Sequence, residues 1–243
     1  MQKHKQNGSV LIVIVMILVI VASIGVVASR LSIVSTNLSS LGIADRMLTQ
    51  EADVAMYYLK DYGYIADKDV PTGVIGYAKD RQNREIVFCY KGQNPDNFFS
   101  PSKASVMYWP TGSSTPNGSS IGGNGYCKSN TSGSDYSSAR NAILTQVTIK
   151  RTDETAASYT GDPTSNGEVY VAHVTTLMPN MILSNVSKSD IDNCLSTRMS
   201  QPIPPSGVTP SASARESVSD CLERLNVPHK TVASKFALLW GLV

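Results

Sequence analysis

The stretch Gln6-Asn7-Gly8-Ser9-Val10-Leu11-Ile12-Val13-Ile14-Val15-Met16-Ile17-Leu18-Val19 decides how the chain is read, because a short basic peptide ends there in one glycine and gives way at once to hydrocarbon. No charged side chain occurs from Val10 to Ala28, and as a helix that run is roughly 28 Å long, close to the hydrocarbon thickness of a bilayer. Lys3, His4 and Lys5 precede it, whereas Arg30 is the only nearby basic residue beyond it. The positive-inside tendency therefore leaves the N-terminus in the cytoplasm and everything after Arg30 outside. Three readings fit this stretch: an export signal cut after Val26-Val27-Ala28, a plain membrane anchor, or a leader removed at Gly8 from a helix that is retained.

Sequence further along separates them. Leu31, Val34, Leu38, Leu41, Leu48, Ala52, Ala55 and Leu59 recur at steps of three and four, with Asp45 interrupting the stripe, which is a helical period. No proline lies between Gly8 and Lys60, and the first strong breakers are Gly63 and Pro71. The pattern predicts one helix over residues 9–60, roughly 75 Å long, with 9–29 spanning a membrane and 30–60 amphipathic. An anchor needs only its first half and a cleaved signal cannot use its second. A fibre subunit needs both, one half to bundle with neighbours and the other to pack under its own head.

The 243 residues allow one medium domain, residues 61–243, besides this helix. With 21 basic and 19 acidic side chains the net charge is +2, so nothing argues for direct nucleic-acid binding. After Gly63, β-branched and aromatic runs alternate with turn-rich segments, and strands are expected at Arg84–Tyr90, Ala104–Trp109, Ala142–Lys150, Glu168–Thr176 and Val232–Trp240. The expected class is thus α+β, a long N-terminal helix lying on an antiparallel sheet. Thr111–Gly125 and Ser200–Ser213, rich in Ser, Gly and Pro, read as loops. Cys89, Cys127, Cys194 and Cys221 all follow the apolar segment. In an oxidising compartment the simplest pairing is sequential, although four cysteines allow three connectivities.

No catalytic constellation is legible, and no metal or cofactor is expected. The HExxH and P-loop spacings are absent from the sequence. His4 lies in the leader, His173 among Val169, Val171 and Val174 in an expected strand, and His229 after Pro228 in an expected loop. Asp190 and Asp192 lack the glycine and glutamate of a calcium loop and read as a turn or helix cap. Asn117, Asn130 and Asn185 fit the N-x-[ST] pattern, which recurs by chance in Ser-rich sequence. Tyr57, Tyr58, Tyr62 and Tyr64 are expected to cement helix to sheet.

Taken together, the basic leader, Gly8, the run Ser9-Val10-Leu11-Ile12-Val13 and the continuous apolar helix resemble a type IV prepilin. Arg46-Met47-Leu48-Thr49-Gln50-Glu51-Ala52-Asp53-Val54-Ala55 is similar to the amphipathic half of PilX-like minor pilins. The resemblance covers the first sixty residues or so. It implies that residues 1–8 are a leader, cut between Gly8 and Ser9 by prepilin peptidase, with Ser9 then N-methylated. It also implies a pilin head with disulfide-bounded loops, residence in the bacterial inner membrane and then in an extracellular pilus. The partners implied are other minor pilins, the major pilin and a tip adhesin, with roles in pilus assembly, twitching, adhesion and DNA uptake. Most pilins carry glutamate as the fifth residue after the cut, where this chain has Val13. A carboxylate in hydrocarbon is costly unless neutralised, and a subunit with no neighbour above it would leave such a charge uncompensated. The departure implies a place in the tip or initiation complex, or simply a better membrane helix. The rival to a pilin is an exported or anchored binding protein or hydrolase with a conventional signal.

Overall fold

The computed structural model describes residues 9–60, 73–79, 81, 84–92, 101–121, 124–129, 135–181 and 186–239. Gly8 and the rest of the leader, Tyr62, Tyr64, Asn130, Asn185 and Trp240 lie outside the described residues. The chain forms two compact units, one up to Ala44 and one from Asp45 onward. Helix α1 runs unbroken over Ser9–Lys60. In the first unit, Leu11–Arg30 has a mean hydropathy of 3.3 and none of it is buried. Leu41, which the periodic pattern places on the packed stripe, is exposed as well.

The second unit is α+β. Helix α2 (Val74–Lys79) precedes strand β1 (Glu85–Tyr90), followed by β2 (Ser105–Tyr108), β3 (Asn117–Ser120), β4 (Leu144–Thr155), α3 (Ala156–Thr160), β5 (Gly167–Leu177), α4 (Lys188–Thr197), α5 (Val218–Arg224) and β6 (His229–Leu239). The strands make one six-stranded sheet in the order β3-β2-β1-β4-β5-β6, and every neighbouring pair is antiparallel. The five expected strands all form, with β4 and β6 longer than their apolar runs. Two expectations fail. Asn117–Ser120, expected within a loop, pairs with β2 as an edge strand. His229, also expected in a loop, opens β6 opposite Leu177. In both cases main-chain pairing with a preformed neighbour overrides weak local β-propensity.

Alternation along the strands gives the sheet two unlike faces. Ile86, Phe88 and Tyr90 of β1, Val147 and Ile149 of β4 and Tyr170, Ala172 and Val174 of β5 form one apolar face, and Ala52, Ala55, Met56 and Leu59 of α1 join the same core. The two alanines, fully buried, admit a close helix–sheet approach. The Leu48 carbonyl accepts a hydrogen bond from Thr176 Oγ1 at 3.0 Å, and Lys230 pairs with Asp45 at 3.1 Å. Tyr58 packs on Tyr90 with ring centres 6.3 Å apart, whereas Tyr57 points to solvent, 69% exposed. Only Tyr58 of this pair does the cementing.

A second core lies under α4 and α5, where Leu144, Leu177, Ile191, Leu195, Val218 and Leu222 pack together. Both helices begin with a capping box, Ser187 with Asp190 and Ser217 with Asp220. These boxes satisfy main-chain donors that a short helix would otherwise leave open.

Candidate functional site

The residues singled out in the sequence fall in separate places. Ser9 is the first residue of α1. Val13 is 55% exposed along the apolar helix. The cysteines form two disulfides, Cys89–Cys127 and Cys194–Cys221, and buried side chains bind the two loops together. Gln146 Oε1 accepts from the Cys127 N–H at 3.2 Å while its Nε2 donates to the Leu195 carbonyl at 3.0 Å. Asp192 Oδ1 accepts from the main-chain N–H and the hydroxyl of Ser129, at 2.6 and 2.7 Å. Asp190 caps α4. The aspartate pair is therefore structural, as a helix cap and a loop clasp. Among the described residues no group of three or more His, Cys, Asp and Glu side chains is placed to hold a metal ion.

The sheet face turned away from α1 carries charge. Glu85, only 1% exposed, accepts the Ser200 N–H at 2.7 Å and the Gln201 N–H at 2.8 Å, one on each carboxylate oxygen. Thr148 Oγ1 bonds Ser200 Oγ at 2.9 Å. Burial pushes the Glu85 carboxyl up to about 7, against the lowering effect of the two N–H donors and of Lys150. Lys150 is buried with its Nζ unpaired among the described residues. Its pKa is held down by burial, with the Glu85 charge pulling the other way. Burial also lowers His173, and Lys150 lowers it further. Tyr126 is raised by burial and then by Glu85.

Glu85 thereby clamps the start of the Ser200–Ser213 segment, and the Ser211 N–H donates to the Ser114 carbonyl at 3.0 Å at its other end. Between these anchors the segment lines a groove of about 420 Å³ through Ile203, Pro204, Pro205 and Ser206, together with Arg84, Tyr108 and Trp109. That volume lies in the lower part of the range of ligand sites, about 300–1,000 Å³. The Trp109 indole N–H donates to the Ser113 carbonyl at 2.6 Å, which fixes the ring. The Arg84 guanidinium lies 5.0 Å from the Tyr108 ring centre. A larger hollow, about 770 Å³, is bordered by Asp45, Arg46, Asp53 and Tyr57 of α1, but its described lining is a single helix, whereas the groove is lined from three segments.

No family model, curated protein or solved structure matches the chain. Its reading therefore rests on the geometry itself. The groove escaped sequence reasoning because its residues come from three separated segments, and Ser200–Ser213 reads from composition only as a loop. One signal was available: Trp109 with Tyr108 at the end of an expected strand, against a run of prolines. The apolar helix is of a length to serve as a membrane anchor or an export signal, and two disulfides indicate a protein that lies outside the cytoplasm.

Proposed function

We propose that this chain is a minor pilin of a type IV pilus, similar to the PilX-like group, acting as a structural subunit in the tip or initiation complex. The observation that supports this reading most is helix α1, which continues for 52 residues from Ser9 to Lys60. Its first part is apolar and unburied, while Ala52, Ala55, Met56 and Leu59 belong to the core of the head. A helix used both as membrane span and as core element gives a subunit a way to carry its head into a fibre. In such a fibre the exposed apolar side chains would be covered by other subunits once they leave the lipid. Val13 adds the tip position, since a subunit without a neighbour above it keeps no buried carboxylate there.

Mass determination of the mature N-terminus tests the reading. A chain starting at N-methylated Ser9, lost when Gly8 is replaced by leucine, is the expected result. A chain starting at Ser29 or still at Met1 refutes it. For the tip position, a label on the head should appear at the ends of sheared fibres, and even labelling along the shaft refutes that part. A second reading, an anchored extracytoplasmic binding protein, draws on the groove between Arg84 and Pro204, and an uncleaved Met1 would favour it.

A further inference from the structure

We infer that the groove lined by Arg84, Tyr108, Trp109 and Ile203–Ser206 is a binding site for an acidic sugar, a pyranose ring bearing a carboxylate. This holds whether or not the chain is assembled into a fibre, because every residue involved belongs to the head.

The walls supply flat carbon surface. Tyr108, Trp109, Pro204 and Pro205 all line the groove. Because the indole N–H is already occupied by the Ser113 carbonyl, Trp109 meets a ligand with its ring rather than as a donor. Such surfaces suit the C–H faces of a pyranose. They are also preformed. The Ser200–Ser213 segment is held at its start by the Ser200 and Gln201 N–H groups on Glu85 and towards its end by Ser211 on Ser114, and its prolines have fixed φ. A ligand entering the groove has little backbone to order.

Charge selects within that class. Arg151, Arg198 and Arg224 each have a carboxylate partner. Arg84 has none among the described residues, although it lines the groove, and its guanidinium rests against the Tyr108 ring. A guanidinium held against an aromatic ring keeps its donor fork free for a planar carboxylate. A neutral sugar would use the walls and leave this cation idle, whereas an inorganic anion would use the cation and leave the walls idle. A carboxylated pyranose uses both.

The test uses the full chain in detergent micelles, with N-acetylneuraminic, glucuronic and galacturonic acids as probes and galactose as the neutral control, followed by saturation-transfer NMR and titration calorimetry. At least one acid is expected to bind about tenfold more tightly than galactose, with Arg84→Gln bringing it to the level of galactose and Arg84→Lys restoring part of the difference. Tyr108→Ala should weaken acid and neutral sugar together. Equal binding of acid and neutral sugars, or an unchanged Arg84→Gln protein, overturns the inference. So does competition by inorganic phosphate or pentaglutamate as strong as that by the best acid, since charge alone would then explain the site. None of these outcomes depends on where the N-terminus is cut.

Discussion

Replacing Glu85 with glutamine should remove a pH dependence of stability that the wild-type head carries. The carboxyl is buried, and burial raises it from 4.5 to about 7, so the folded state binds this proton more tightly than the unfolded chain does. The stability from this group is fully present below pH 4.5, declines as the pH rises, and is gone once the pH passes about 7. The gap between those values, at about 1.4 kcal/mol per pH unit, is about 3 kcal/mol. His173 acts in the opposite sense over part of this window. Its folded pKa is lowered, so its contribution is present above about 6.5 and is lost as the pH falls. Glu51, raised mainly by burial, acts in the same sense as Glu85. Both are common to wild type and variant and cancel in the difference. Urea unfolding of the full chain in micelles, followed by the fluorescence of partly buried Trp109 between pH 4 and 8, measures that difference. The variant should gain on the wild type by about 3 kcal/mol across the range. Its starting offset is set by the hydrogen bond that the amide nitrogen of the introduced glutamine cannot accept, about 1 kcal/mol. Parallel curves, with an offset that does not change with pH, would show that Glu85 does not titrate in this window.

Other perturbations have equally definite outcomes. Removing the Cys194–Cys221 bridge, whose partners are 27 residues apart in sequence, by a double change to serine should cost about 3.5 kcal/mol on the chain-entropy account, read as a lowered urea midpoint. Gly125→Ala should cost several times the usual surface substitution, because a Cβ there collides with the Val87 carbonyl and lies 2.5 Å from the Ser105 N. Its check is a melting curve beside that of Gly112→Ala, where a Cβ meets nothing and only the left-handed backbone is strained. Leu59→Ala, at a fully buried position of α1, should cost about 2–5 kcal/mol in the same unfolding assay. Glu216 is held below its usual range first by the hydrogen bond from Arg224 and then by that from Arg198, against the raising effect of burial. Its contribution is therefore present above about 4.5 and lost as the pH falls, and Glu216→Gln should flatten the acid limb of the stability profile.

The parts of the fold legible in the sequence are those where a strong local period coincides with burial. Helix α1 is readable because its apolar run passes into a helical period with no proline before Lys60, and β4 and β5 because Val147, Ile149, Tyr170 and Val174 carry β-propensity into a buried face. Strand β3 is not, since Asn117-Gly118-Ser119-Ser120 has little propensity and forms by main-chain pairing alone. Helices α4 and α5 are too short to show a period, although the patterns Ser187-x-x-Asp190 and Ser217-x-x-Asp220 mark their starts. The groove and the Glu85 clamp are illegible for a deeper reason. Arg84, Trp109 and Pro204 meet only through the sheet order, which no local pattern encodes.

The meeting of Asp45 with Lys230, residues 185 apart, has a consequence for biogenesis. A chain delivered across a membrane from its N-terminal side presents β6 last, so the sheet lacks its final edge, and this helix segment its tether to that edge, until almost the whole polypeptide has emerged. Contacts of such high sequence separation form slowly. During translocation the apolar face of β5 would be open to aggregation, and a holdase outside the membrane would have its greatest effect in that interval.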